Sequence, residues 1–252
     1  MLAALSVTHG YLPPHPAPSA LAIMFGADIG KTLIYGFIVA IPVILISGPV
    51  LTNFIKKVDA KPLKEFVSIK KFKSEELPGM GISLITALLP VILIGFSTII
   101  IELIDQENSA YEIIKFIGNP VIALLISVMY SIYSLGISRG KKMKEIMNTF
   151  TSAITGITMV LLIISGAGAL KQILIDSGVS QYVGNILESS SISPLILGWL
   201  IATFIRFCVG SATVAGLTTA GIILPIVEQG DVNPELMVLA IGSGSLMLSH
   251  VN

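Results

Sequence analysis

The residues best suited to chemistry lie in RFCVGSATVAGLTTAG, positions 206 to 221, inside an otherwise apolar stretch. Arg206 brings a permanent positive charge and a planar fork of donors that fits a carboxylate in bidentate fashion. Isolated at the centre of a bilayer, an arginine costs about 2.5–3.5 kcal/mol on insertion scales, so a partner or water must offset it. Soon after it, 10 of the 12 residues in GSATVAGLTTAG are Gly, Ala, Ser or Thr. Glycine and threonine are weak helix formers, and such a run bares backbone and offers hydroxyls to whatever approaches. As one helix, residues 194 to 227 would extend about 51 Å, against a hydrocarbon core of about 30 Å. The spacing therefore predicts a helix interrupted near its middle. Non-helical backbone at membrane depth is tolerated only where protein buries it or a wet cavity meets it. A half-helix starting there presents its positive dipole end and free N–H groups to an anion. The competing reading is that the small residues only let helices pack closely, while Arg206 snorkels to the interface.

A second glycine-rich stretch is IISGAGALKQILIDSGV, 163–179. It reads either as a re-entrant hairpin tip or as an ordinary helix end with Lys171 at the interface. Two glycine-interrupted apolar segments in one chain point to a transporter substrate site. The third feature is HGYLPPHPAP, 9–18. Pro13, Pro14, Pro16 and Pro18 predict a stiff, extended turn that is not helical, flanked by His9 and His15. Histidine titrates near physiological pH and can carry protons; beside prolines it can equally be structural, bonded to a carbonyl. His250 is open to the same two readings.

Other chemistries find little support. As a hydrolase nucleophile Ser211 needs a base such as His250 within hydrogen-bond reach, and VGSATVAG is not a G-x-S-x-G elbow. No G-x-x-x-x-G-K-[ST] loop occurs, which argues against ATP-driven pumping. The charge rings or filter sequence of a channel are not visible. One cysteine, Cys208, excludes disulfide frameworks and Cys-rich metal sites. No enzyme activity, cofactor or metal is expected.

The elements that must position these residues are membrane helices. The chain has 252 residues, 54% hydrophobic and 12% charged, with a mean hydropathy of +0.90; soluble domains carry about a quarter charged residues. Four apolar segments, at 33–51, 81–104, 119–138 and 152–170, approach the roughly 20 residues that cross a bilayer. A fifth region, 193–227, is too long for one span, and a sixth, 235–248, runs to the chain's end. Lipid offers no partner to unpaired backbone, so helices are expected. The predicted fold class is all-α: one polytopic membrane helical bundle with broken or re-entrant helices.

The loops set orientation. Seven lysines fall between Lys56 and Lys73, and Arg139, Lys141, Lys142 and Lys144 follow the third span. The intervening DQENSAYE, 105–112, is acidic and lacks lysine. The positive-inside rule then places 56–80 and 139–150 in the cytoplasm and 105–118 outside. The lysine-rich loop is a solvated topology signal and not a nucleic-acid site. The N-terminal residues lack the basic region of a signal peptide, and both ends read as cut from a longer chain.

HGYLPPHPAP, SGAGALKQILIDSGV, RFCVGSATVAGLTTAG and the closing SHVN resemble the motifs of the gluconate permeases, the gluconate:proton symporter family, and the similarity runs from residue 1 to 252. The resemblance implies a multi-pass carrier of the bacterial inner membrane, built as two inverted repeats, that imports gluconate or related sugar acids with protons. Relatives that carry D-serine or other small hydroxy acids keep that alternative open. The chain resembles the middle and second repeat of such a carrier. By the same resemblance Arg206, Gly210, Ser211, Ala212 and Thr213 line the substrate site, and Ser165, Gly166 and Gly168 lie at a facing tip. His9 and His15 match the family's HG–PPHP motif, and with His250 they are the proton-coupling candidates. The expected partners are a small anionic substrate, protons and the lipid bilayer; a homo-oligomer is compatible with all of this.

Overall fold

The computed structural model describes residues 2–54, 77–179, 181–182, 192–228 and 232–248. Most of the lysine-rich loop, His250 and the rest of SHVN lie outside the described residues. Contacts divide the chain into two compact units, one of Met1–Ile44 with Ser152–Asn252 and one of Leu45–Thr151. Among the described residues, four helices are long and apolar enough to cross a membrane: Ile29–Phe54, Met80–Leu103, Pro120–Arg139 and Met143–Leu170.

The first unit holds α1 (Leu2–Tyr11), α2 (Pro16–Met24) and most of α3 (Ile29–Leu45). The second unit holds α4 (Met80–Leu103), α5 (Ser109–Gly118) and α6 (Pro120–Ser131). Its two long helices are joined by the acidic turn, whose Asn108 caps α5 by accepting from the Ala110 N–H at 2.9 Å. Asn119 caps α6 in the same way, accepting from Val121 at 3.0 Å, with Pro120 in the first turn where no N–H is needed. The expected spans at 81–104 and 119–138 are therefore present, the second starting at the Asn119 cap.

Helix α7 (Met143–Asp176) begins in the second unit and runs into the first. It is unbroken through the SGAGAL stretch, so no hairpin tip forms between 163 and 176. Each glycine costs a helix about 1 kcal/mol, and flanking Ala, Leu and Ile residues carry it through. The helix gives out only near Gly178, which takes φ +75°. The rest of the first unit is α8 (Pro194–Val209), α9 (Ala212–Glu228) and α10 (Pro234–Gly244). The over-long fifth segment is thus two helices, divided where the small residues begin.

HGYLPPHPAP differs from expectation. His9, Gly10 and Tyr11 close α1, and Pro16, Ala17 and Pro18 open α2, leaving only Leu12–His15 between helices. Prolines end a helix from within but suit its first turn, where the missing N–H has no intrahelical partner anyway.

Helix α10 is the hub of the first unit, packing on α1, α2, α8 and α9. Met237, Val238 and Ile241 are fully buried with Leu21, Leu217, Ala220 and Ile223 around them. Lipid tails are as apolar as these side chains, so burial alone cannot hold such helices together; close backbone approach at small residues must contribute. Glycines supply it. A methyl group at Gly242 would lie 2.6 Å from Tyr11 Cβ and 2.8 Å from the Gly10 carbonyl oxygen. One at Gly244 would overlap the Trp199 carbonyl.

Candidate functional site

The interruption between α8 and α9 takes two residues. Gly210 adopts φ +80°, ψ −12°, in the left-handed region, and its N–H donates to the Arg206 carbonyl at 2.9 Å. Glycine stops a helix this way because it has no Cβ to clash. Ser211 then starts α9: its carbonyl accepts from the Ala215 N–H at 2.9 Å, and its Oγ stands 3.4 Å from the Val214 nitrogen. The first N–H groups of α9, at Ala212 and Thr213, have no intrahelical partner. Arg206 lies one turn before the break and is only 8% exposed. It is buried in protein and does not snorkel. Gly210, Ser211, Ala212 and Thr213 are half-buried beside it in the chain.

Helix directions bring two more interruptions to the same end. Gly198 of α8 meets Met237 and Ile241 of α10, and further along both helices Gly244 meets Trp199 and Ala202. These two helices therefore run parallel. Helix α9 runs back: Gly216, near its start, approaches Ser245, just past the end of α10. At the other end of α10, Glu235 accepts from the Asp28 N–H at 3.1 Å; Asp28 follows α2, so α2 runs toward the start of α10 and its own first turn lies toward the C-terminal end of α10. Gly10 in turn abuts Leu246. The turns at Leu12–His15, Gly210–Ser211 and Ser245–Leu248 thus share one end of the helix layer. Leu248 has φ +56°, uncommon for a side chain of its size.

The histidine pair belongs to this end. The His9 and His15 rings meet edge to face with centroids 4.1 Å apart. Burial first, and His9 second, hold the His15 imidazole below its ordinary value, favouring the neutral form. Ser165, Gly166 and Gly168 sit instead along unbroken α7, exposed, with the Ser165 hydroxyl donating to its own helix at Leu161. Their neighbours Ile163 and Ile164 are the α7 residues that pack on the core. Sequence reasoning missed two contributors: Tyr11, 4% exposed, and the end of α10, where Ser245 is buried and its hydroxyl donates to the Gly242 carbonyl at 2.7 Å. The signal for the second was GSGS inside an apolar segment.

Chemically, the arrangement offers a buried cation, a half-helix N-terminus, hydroxyls and a neutral imidazole, which together suit a small hydroxylated anion. The family model for GntP family permeases matches residues 1–252, the whole chain. The chain belongs to that family. It is 47% identical over its full length to the high-affinity gluconate transporter of Escherichia coli K12, of which it covers 58%. It is 48% identical to a gluconate permease of Bacillus licheniformis and 40% identical to the Gnt-II system L-idonate transporter of Escherichia coli K12, covering 58% and 57% of them. The chain therefore spans less than two thirds of these permeases. No solved structure matches it. Family and apolar helices together make it an integral membrane protein.

Proposed function

We propose that this chain forms part of a secondary carrier of a bacterial inner membrane that imports gluconate or a related sugar acid in symport with protons. The observation that carries the reading is the helix interruption at Gly210–Ser211, one turn past the buried Arg206 guanidinium. The substrate carboxylate takes the Arg206 fork and the bared N–H groups of α9. Ser211 and Thr213 meet substrate hydroxyls. His9 and His15 are the proton-handling candidates, and Ser165, Gly166 and Gly168 supply an opposing wall from an unbroken helix in place of a tip. The loops at 56–80 and 139–150 face the cytoplasm. Relatives named for gluconate and for L-idonate support the sugar-acid class.

The test replaces the matching stretch of the Escherichia coli high-affinity gluconate transporter with these 252 residues, in cells without gluconate uptake of their own. Uptake of labelled gluconate should follow the imposed proton gradient. Arg206→Lys keeps the charge but loses the fork, and should weaken apparent affinity about tenfold or more. Arg206→Ala should abolish uptake while the protein still reaches the membrane. Normal uptake by the Ala variant refutes the site.

A further inference from the structure

Two polar groups at the gathered end lack partners, and the reading above uses only the second of them, as a proton-handling candidate. Tyr11 is 4% exposed, yet its phenolic oxygen is buried and has no hydrogen-bond partner among the described residues. His15 Nδ1 is likewise buried and without a partner. They bracket the Leu12–His15 turn, Tyr11 in the last turn of α1 and His15 immediately before α2. Leaving a buried hydroxyl unsatisfied costs stability, because the group gives up its bonds to water and gains none. Phenylalanine would fill the same space without that cost. The close approach of Gly242 to Tyr11 is through the Tyr11 Cα and Cβ and accounts for neither the ring nor its oxygen.

We propose that Tyr11 is a specificity-determining residue that reads a substrate hydroxyl, with His15 Nδ1 serving the same group or its neighbour. The assignment rests on the transport reading and adds to it the part of the substrate remote from the carboxylate. A hydroxyl both donates and accepts; a phenol does the same, and a neutral imidazole nitrogen does one or the other according to tautomer. A carboxylate only accepts, so it would use this pair poorly and use Arg206 well. The two features divide the ligand between them: the charged end at Arg206 and α9, a hydroxylated carbon at the α1–α2 turn. Sites built to bond a hydroxyl reject analogues that lack it far more strongly than apolar pockets reject an added group.

The test measures binding of gluconate and of hexanoate, the six-carbon carboxylate without hydroxyls, to the purified chimera described above in nanodiscs, wild type being the chimera with this chain's own residues. Wild type should prefer gluconate by at least tenfold. Tyr11→Phe should cut that preference about tenfold, leave hexanoate affinity unchanged, and leave the ligand-free melting temperature equal or higher. His15→Asn should also lower the preference while sparing hexanoate. Gluconate affinity of Tyr11→Phe within twofold of wild type overturns the proposal, as does an equal loss for both ligands. If wild type binds no gluconate, the transport reading falls and this assignment with it; if wild type binds and Tyr11→Phe binds equally, only the assignment falls.

Discussion

Gly242→Ala is the sharpest probe of the packing that gathers the three turns. The added methyl would sit 2.6 Å from Tyr11 Cβ and 2.8 Å from the Gly10 carbonyl oxygen, where carbon contacts normally lie at about 3.5–4.0 Å. Helix α1 would have to retreat by roughly 1 Å, the difference between those values. Retreat would also open the contact between Gly10 and Leu246. Overpacking of this kind costs about 1–3 kcal/mol, against a gain of about 1 kcal/mol for replacing glycine by alanine in a helix. The net expectation lies between no change and a loss of about 2 kcal/mol. Gly166→Ala is the matched control. Nothing lies within 4 Å of its added methyl, so the propensity gain of about 1 kcal/mol stands alone. The two variants should differ by about 1–3 kcal/mol, or roughly 2–12 °C in melting temperature for a protein of this size. Thermal unfolding in detergent micelles, followed by far-ultraviolet circular dichroism, reads both. A Gly242→Ala protein stabilised as much as Gly166→Ala would refute the close approach of α1 and α10. A destabilised Gly166→Ala would refute the unbroken α7 and restore a hairpin tip there.

Two further outcomes follow from the geometry. Gly210→Ala places a side chain in a left-handed conformation, φ +80°, and should lower stability by about 1–2 kcal/mol, with Gly210→Asn recovering part of the loss because asparagine tolerates that region; equal melting temperatures for Ala and Gly would show that the break does not depend on the left-handed turn. The His15 imidazole, held below its ordinary value of 6.5 by burial and by His9, binds a proton less readily folded than unfolded, so its contribution is complete above about pH 6.5 and is lost as pH falls through the folded value. The melting temperature should therefore fall on acidification below that point, more steeply for wild type than for His15→Asn; parallel pH profiles would refute the buried imidazole.

What could be read from the sequence was what short range decides. The division at Gly210 was legible because ten small residues in twelve cannot be mistaken for a lipid-facing span, and the second unit's spans were legible as apolar runs near the 20 residues that cross a bilayer. The prolines of 9–18 misled for an equally local reason: a proline stops a helix it interrupts and starts one it precedes, and only the neighbours in space choose between the two. The hub role of α10 was not legible, because GSGS acquires its meaning from Tyr11 and Trp199, more than two hundred and about forty positions away in the chain.

That distance bears on how an arginine and unsatisfied helix ends can exist in this chain at all. A helix end in lipid exposes groups that each need a partner, and a single break would leave them facing hydrocarbon. Three turns from distant parts of the sequence share one end of the layer, so each lies among other protein segments. The glycines of α10 make this possible, since a Cβ at Gly242 or Gly244 would push away the helices that carry Tyr11 and Arg206. Small residues within apolar segments therefore do two jobs here. At 210 and 211 they open the backbone, and at 242 and 244 they bring in the neighbours that let it stay open.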